Sequence, residues 1–167
     1  TVLTIVLIVQ LFYLFQSKDG GKVIRINIES IALKGNIMNE PSQRFISIYL
    51  PKGYENSTIE YPTVYFLHGF RGSDELFNSD FKKELDDAIE RKLIPPLIFI
   101  APNSSTKFGG SFYTNSDIAG KWADYIALDV VKYIDENYRT IKNRNSRIIS
   151  GHSMGGNGAL KIAMLFP

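Results

Sequence analysis

Gly151-His152-Ser153-Met154-Gly155 sets a serine midway between two glycines. This is the G-x-S-x-G pattern of a nucleophile elbow, in which a serine is lifted off a strand end so that its hydroxyl stands free to attack. The glycines have a steric reason. The serine sits in a strained backbone conformation, and a side chain two residues to either side would collide where strand and helix converge. A glycine-rich turn holding an incidental serine fits the same five letters, so the flanks bear on the choice. Residues 147–150 form a short β-favouring run, read as a buried strand. Ala159, Ile162, Ala163 and Phe166 then recur at helical spacing, which predicts a mostly buried helix ending before Pro167.

Composition narrows the chemistry. The chain has 167 residues, enough for one domain with a real core. Its net charge is +2 with no basic cluster, which argues against a nucleic-acid partner. The absence of cysteine excludes disulfides, thiolate metal sites and a cysteine nucleophile. With two histidines and no H-E-x-x-H pattern, neither a zinc site nor any other metal or cofactor is indicated.

The elements that must position Ser153 are read in chain order. Residues 2–15 are apolar apart from Thr4, Gln10 and Tyr13, short for a membrane span and closer to a signal-peptide core. Residues 1–16 are read as a signal peptide or N-terminal membrane anchor, with a buried first helix as the alternative, and 17–22 as a linker. The protein is then expected to be secreted or held in the cell envelope. From 23 onward a domain is expected. Residues 23–33 and 44–50 alternate as two half-exposed strands of an antiparallel edge hairpin. Asn56-Ser57-Thr58, in the loop that follows, is a glycosylation sequon relevant only in a eukaryotic secretory host. Residues 63–67 and 97–101 are continuous apolar runs, as in strands covered on both faces. Between them a helix is expected over 79–92, with Phe81, Leu85 and Ile89 inward. The loop 103–120 is long and carries Phe108, Phe112 and Tyr113, a length that often goes with function. An amphipathic helix over 121–137 places Trp122, Ile126, Val130, Tyr133 and Ile134 at core spacing. Strands alternating with helices predict an α/β fold, with a mostly parallel sheet after an antiparallel start and helices on both faces.

In this order the segments Tyr61-Pro62-Thr63-Val64-Tyr65-Phe66-Leu67-His68-Gly69, Gly110-Ser111-Phe112-Tyr113, Trp122-Ala123-Asp124-Tyr125-Ile126 and Ser150-Gly151-His152-Ser153-Met154-Gly155-Gly156 resemble the α/β-hydrolase superfamily. Within it the chain looks like the esterase-D family, which includes feruloyl esterases, S-formylglutathione hydrolases and the antigen 85 mycolyltransferases. The resemblance implies a serine carboxylic-ester hydrolase acting on a small-molecule or polysaccharide-linked ester without a cofactor. It makes Ser153 the acyl-enzyme nucleophile, with the backbone N–H groups of Phe70 and Met154 holding the oxyanion. His68 shapes its loop in this reading and does not move protons.

One departure stands out. The family's acid and base follow the nucleophile, but residues 154–167 contain no Asp, Glu or His. His152 adjoins Ser153, so its side chain is expected to point away from the serine's. The expectation is a chain carrying the N-terminal portion of an esterase domain over 23–167, with the later strands, acid and histidine beyond Pro167. Alone it is expected to be inactive and, with a bare apolar strand edge, poorly soluble. Two other readings remain: a non-catalytic binding protein on the same scaffold, and an antigen 85-like acyltransferase. A third pattern is set aside. Ser104-Ser105-Thr106-Lys107 and Tyr113-Thr114-Asn115 mimic motifs of penicillin-recognising enzymes, but the serine lies in a loop and no K-T-G follows.

Overall fold

The computed structural model describes residues 20–78 and 80–167. The segment 1–16 and the start of the 17–22 linker lie outside the described residues. Five strands form the main sheet: β1 (Lys22–Glu29), β2 (Gln43–Leu50), β3 (Thr63–Leu67), β4 (Ile98–Pro102) and β7 (Arg147–Gly151), in the order β1-β2-β4-β3-β7. β1 and β2 pair antiparallel in register Lys22↔Leu50 to Glu29↔Gln43, and β2 runs antiparallel to β4. β3 pairs parallel with both β4 and β7. The remaining strands, β5 (Asn115–Ser116) and β6 (Gly120–Lys121), make a small hairpin of their own.

Alternation along the strands sends successive side chains to two separate cores. On one face Val64, Phe66, Phe99 and Tyr49 meet helix α1 (Phe81–Glu90) through Phe81, Leu85 and Ile89. On the other face Tyr65, Leu67, Ile98 and Ile100 meet helices α2 and α3. α2 is a continuous helical segment over 122–137, and α3 is Met154–Leu165. The sheet therefore has helices on both faces, as its apolar runs require.

α2 departs from a plain α-helix. Trp122, Ile126, Val130 and Ile134 are spaced by four and are all buried to within 1%. In an α-helix a spacing of four drifts about 40° per step, so the last of them would turn well out of the core. The stretch Tyr125–Val130 is π-helical, and its wider i→i+5 turn takes up that drift. Fully burying four such side chains contributes on the order of 1.5–3 kcal/mol each.

Other differences from the sequence reading have local causes. β1 stops at Glu29, not at 33, because Ser30 leaves the sheet for a turn fastened to α2. Its Oγ donates to Asp129 Oδ2 at 2.6 Å and the Ala32 N–H donates to the same oxygen at 2.9 Å. The helix expected over 79–92 is realised as Phe81–Glu90. Tyr133 is only half-buried. The elbow strand is not a buried strand. β7 lies at the sheet edge, with Ile148 55% exposed. Nor is α3 mostly buried: Ala159 and Ile162 face the sheet, whereas Leu160, Met164 and Leu165 are exposed and so are Ala163 and Phe166. An apolar cleft of about 590 Å³ runs between the β7 edge, α2 and the end of α3. Among the described residues no helix is long and apolar enough to cross a membrane.

Candidate active site

Because β3, β4 and β7 run parallel, their carboxyl ends open on the same side of the sheet, where ligands of open α/β sheets bind. Three segments meet there: the loop after β3 (from His68), the loop after β4 (from Asn103) and the turn between β7 and α3.

That last turn holds Ser153 at φ 53°, ψ −115°, a conformation that L-residues other than glycine rarely adopt. Such strain costs roughly 1–3 kcal/mol and persists only where the surroundings impose it. The surroundings here are backbone. A Cβ on Gly155 would lie 1.8 Å from the Leu67 carbonyl oxygen, and one on Gly151 would lie 2.4 Å from Gly155 carbonyl carbon. With α3 pressed this closely onto the ends of β3 and β7, the residue between them has no relaxed path. Ser153 is exposed, and its Oγ has no hydrogen-bond partner among the described residues. Met154, the first residue of α3, presents a backbone N–H with no acceptor inside the helix.

The loop after β3 comes up beside this serine. A Cβ on Gly69 would stand 3.6 Å from Ser153 Cβ and 3.1 Å from His152 Nδ1, so only glycine lets the loop approach comfortably. The Gly69 carbonyl accepts two hydrogen bonds, from His68 Nδ1–H at 2.8 Å and from the Gly72 N–H at 2.9 Å. His68 Nε2 accepts from the Ser104 N–H at 2.9 Å. An imidazole that accepts at Nε2 must carry its proton on Nδ1, so these contacts fix the neutral tautomer. Burial holds the His68 pKa below the ordinary histidine value, outweighing the hydrogen bond to Gly69, which works the other way. Tyr113, fully buried, donates from its hydroxyl to the His68 carbonyl at 2.9 Å.

The result is set by peptide geometry. The carbonyl of one residue and the N–H of the next point in opposite directions across a planar peptide. Anchoring the Gly69 carbonyl therefore aims the Phe70 N–H the other way, and that N–H has no acceptor among the described residues. The structure thus brings together Ser153, Phe70 and Met154 with Gly151 and Gly155. Among the described residues it does not bring a base to Ser153. His68 is committed to its loop, and exposed His152 makes no hydrogen bond to the serine.

Around the mouth the Phe70 and Phe112 rings are both half-exposed, with centroids 6.0 Å apart. Phe108 is exposed as well. Trp122 is fully buried, its Nε1–H donating to the Ala119 carbonyl at 2.7 Å, so it belongs to the core. Ser104 is buried and Lys107 donates to the Met38 carbonyl, which removes the S-x-x-K reading. No group of side chains suited to a metal occurs among the described residues. Sequence reasoning missed Asp74, Asn103 and Ser104, whose roles arise from contacts between distant segments.

A mixed α/β sheet, antiparallel at β1 and β2 and parallel only from β4 through β3 to β7, carries a strained serine at a strand-to-helix turn, the arrangement of the α/β-hydrolase fold. A family model described as "Putative esterase" matches residues 36–167, and the chain belongs to that family. It is 30% identical over 122 residues to Esterase Rv1288 of Mycobacterium tuberculosis, a match covering 71% of this chain and 25% of that protein. It is also 30% identical over 135 residues to S-formylglutathione hydrolase of Arabidopsis thaliana, covering 70% of this chain and 45% of that one. Among solved structures, a ferulic acid esterase superposes with TM-score 0.74 at 25% identity, over 88% of this chain and 55% of that chain. An S-formylglutathione hydrolase from Agrobacterium tumefaciens superposes with TM-score 0.66 at 21% identity, over 91% and 56%. The chain therefore spans between a quarter and a little over half of the length of these relatives.

Proposed function

We propose that the chain carries the nucleophile and oxyanion half of a carboxylic ester hydrolase. Ser153 Oγ attacks the ester carbonyl carbon, and the charge that develops on the carbonyl oxygen is received by the N–H groups of Phe70 and Met154. Collapse of the tetrahedral adduct breaks the bond to the leaving oxygen, which departs as the alcohol once the proton lost by Ser153 reaches it through solvent, and leaves the acyl group on Ser153. The observation that carries this reading is the pairing of a strained, unpartnered serine with two unsatisfied backbone donors beside it. Donors of this kind are fixed before charge appears, and each is worth about 10²–10³ in rate. The names of the relatives, a ferulic acid esterase and an S-formylglutathione hydrolase, support esters and thioesters of small acyl groups as substrates. No cofactor and no nucleic acid enters this chemistry.

The proton of Ser153 has no acceptor among the described residues, so the 167-residue chain is inferred to react stoichiometrically and slowly, without turnover. Incubation with a fluorophosphonate probe tests this. Covalent mass addition at Ser153, absent in Ser153→Ala, together with no catalytic release of p-nitrophenol from p-nitrophenyl acetate, is the expected result. Unlabelled Ser153 in the folded chain would overturn the reading. It would favour the second one, a non-catalytic binding protein, which the lack of a base beside Ser153 among the described residues supports. The apolar run over 2–15 supports a further proposal, export to the envelope or beyond; the full-length protein in the cytosol after fractionation would refute it.

A further inference from the structure

Beneath the loop that aims Phe70 lies a polar cluster that the proposed chemistry does not use. Asp74 sits six residues beyond His68 with a fully buried carboxylate, unusual for an acid unless it is paired. It is paired four times. Oδ2 accepts from Arg25 Nε at 2.6 Å and from Ser47 Oγ at 3.1 Å; Oδ1 accepts from Arg25 Nη2 at 3.2 Å and from Asn103 Nδ2 at 2.8 Å. Arg25 belongs to β1, Ser47 to β2, and Asn103 opens the loop after β4. One carboxylate thus ties the loop after β3 to the three other segments at this end of the sheet.

Asn103 continues the connection. Its Oδ1 accepts from Arg44 Nη2 at 3.1 Å and from the Ser105 N–H at 3.0 Å, and the Arg44 guanidinium lies 4.9 Å from the Trp122 ring centroid. Asn103 is thereby held on both sides, and the residue following it, Ser104, supplies the N–H that His68 Nε2 accepts. From there the path is the one already described, through Nδ1–H and the Gly69 carbonyl to the Phe70 N–H.

We propose that Asp74, with Asn103, is a positioning residue for the oxyanion site: its carboxylate fixes the β4 loop so that Ser104 orients His68 and His68 orients the Gly69–Phe70 peptide. This rests on the reading of Phe70 as an oxyanion donor. Its physical content is that the donor's direction is determined by a hydrogen-bonded chain anchored on β1 and β2, and not by contacts at the serine. The Arg25–Asp74 pair matters less for stability than for direction, since pairing a buried carboxylate gains little net stability but breaking the pair leaves its charge stranded.

The test uses the 167-residue chain labelled with ¹⁵N. Asn103→Asp replaces the one N–H group that Asn103 gives Asp74 by a second carboxylate oxygen while keeping the oxygen that Arg44 and Ser105 use, and Asp74→Ala removes the anchor itself. Leu85→Ala, in the core on the opposite face, serves as a destabilised control. The expected result is that both relay variants lose the wild-type His68 ring signature of protonated Nδ1 and unprotonated Nε2 and shift the Phe70 amide. Labelling of Ser153 by the fluorophosphonate probe should slow at least about fivefold per folded molecule, short of the 10²–10³ for deleting a donor. The control should keep the His68 signature and the labelling rate per folded molecule. If Asp74→Ala fails to fold, Asn103→Asp decides alone. Unchanged His68 and Phe70 signals in Asn103→Asp overturn the inference. Should wild-type Ser153 prove unreactive, the nucleophile reading fails while the ring and amide signals still decide whether the relay sets the loop.

Discussion

His68 and Ser153 follow neighbouring parallel strands, β3 and β7, yet the two strand ends are finished in opposite ways. Around His68 both ring nitrogens, its carbonyl and the next carbonyl all have partners. Around Ser153 the hydroxyl has none among the described residues, and position is imposed by close backbone contact at Gly151 and Gly155. The difference teaches how the labour is divided. The β3 side is organised by hydrogen bonds that determine direction, which suits stabilising a charge. The β7 side is organised by steric contact that determines location, which suits presenting a nucleophile. Among the described residues the proton's destination is not provided for.

The contrast can be broken most severely at the steric end. Gly155→Ala forces a Cβ into the Leu67 carbonyl, and the expected loss is roughly 3 kcal/mol or more, read by urea denaturation. Ser153→Gly acts in the opposite sense. It relieves the positive φ and should stabilise the chain by about 1 kcal/mol while abolishing probe labelling. At the hydrogen-bonded end Tyr113→Phe removes one bond to the His68 carbonyl and should cost about 1 kcal/mol.

The same end should respond to pH. His68 binds its proton less readily folded than unfolded, because burial lowers its pKa. Its contribution is thus fully present above about pH 6.5 and declines as pH falls below that, when the unfolded chain takes up the proton first. Asp74 and Asp86 are shifted down too, the hydrogen bonds and charges of Arg25 and Lys82 and the other groups around them outweighing burial. Their losses begin only near and below about pH 4. A stability profile from pH 7.5 to 5 should therefore show a decline that His68→Gln removes. The smallest effect is expected at the sheet edge. Ile148→Thr exposes nothing new and should change stability by less than about 0.5 kcal/mol while reducing self-association in light scattering.

What could be read from the letters follows from the range of the interactions concerned. β3 and β4 were legible because strands buried on both faces show as unbroken apolar runs. Ser153 was legible because its constraint is local, glycine on either side. The exposure of Ile148 was not, since periodicity gives a residue's face and says nothing about whether a neighbour covers it. The π-helical stretch Tyr125–Val130 is hidden because Trp122, Ile126, Val130 and Ile134 also fit the core spacing of an ordinary amphipathic helix. Asp74 was invisible. Its partners Arg25 and Asn103 lie 49 and 29 residues away, and an acid met alone in sequence reads as a solvated surface group. Phe70 and Met154 came only through resemblance, because a backbone N–H has no residue type to announce it.

The contact of Gly155 on Leu67 has a wider bearing. Because main chain rests directly on main chain there, no side chain intervenes whose replacement could lengthen or shorten the gap between the strand-end loop and the serine. Side-chain changes that leave this joint intact are available further out, at Phe70, Phe108 and Phe112 around the mouth. Those side chains can change what enters without altering where it is met. A fold jointed in this way keeps its chemistry constant while its clientele changes.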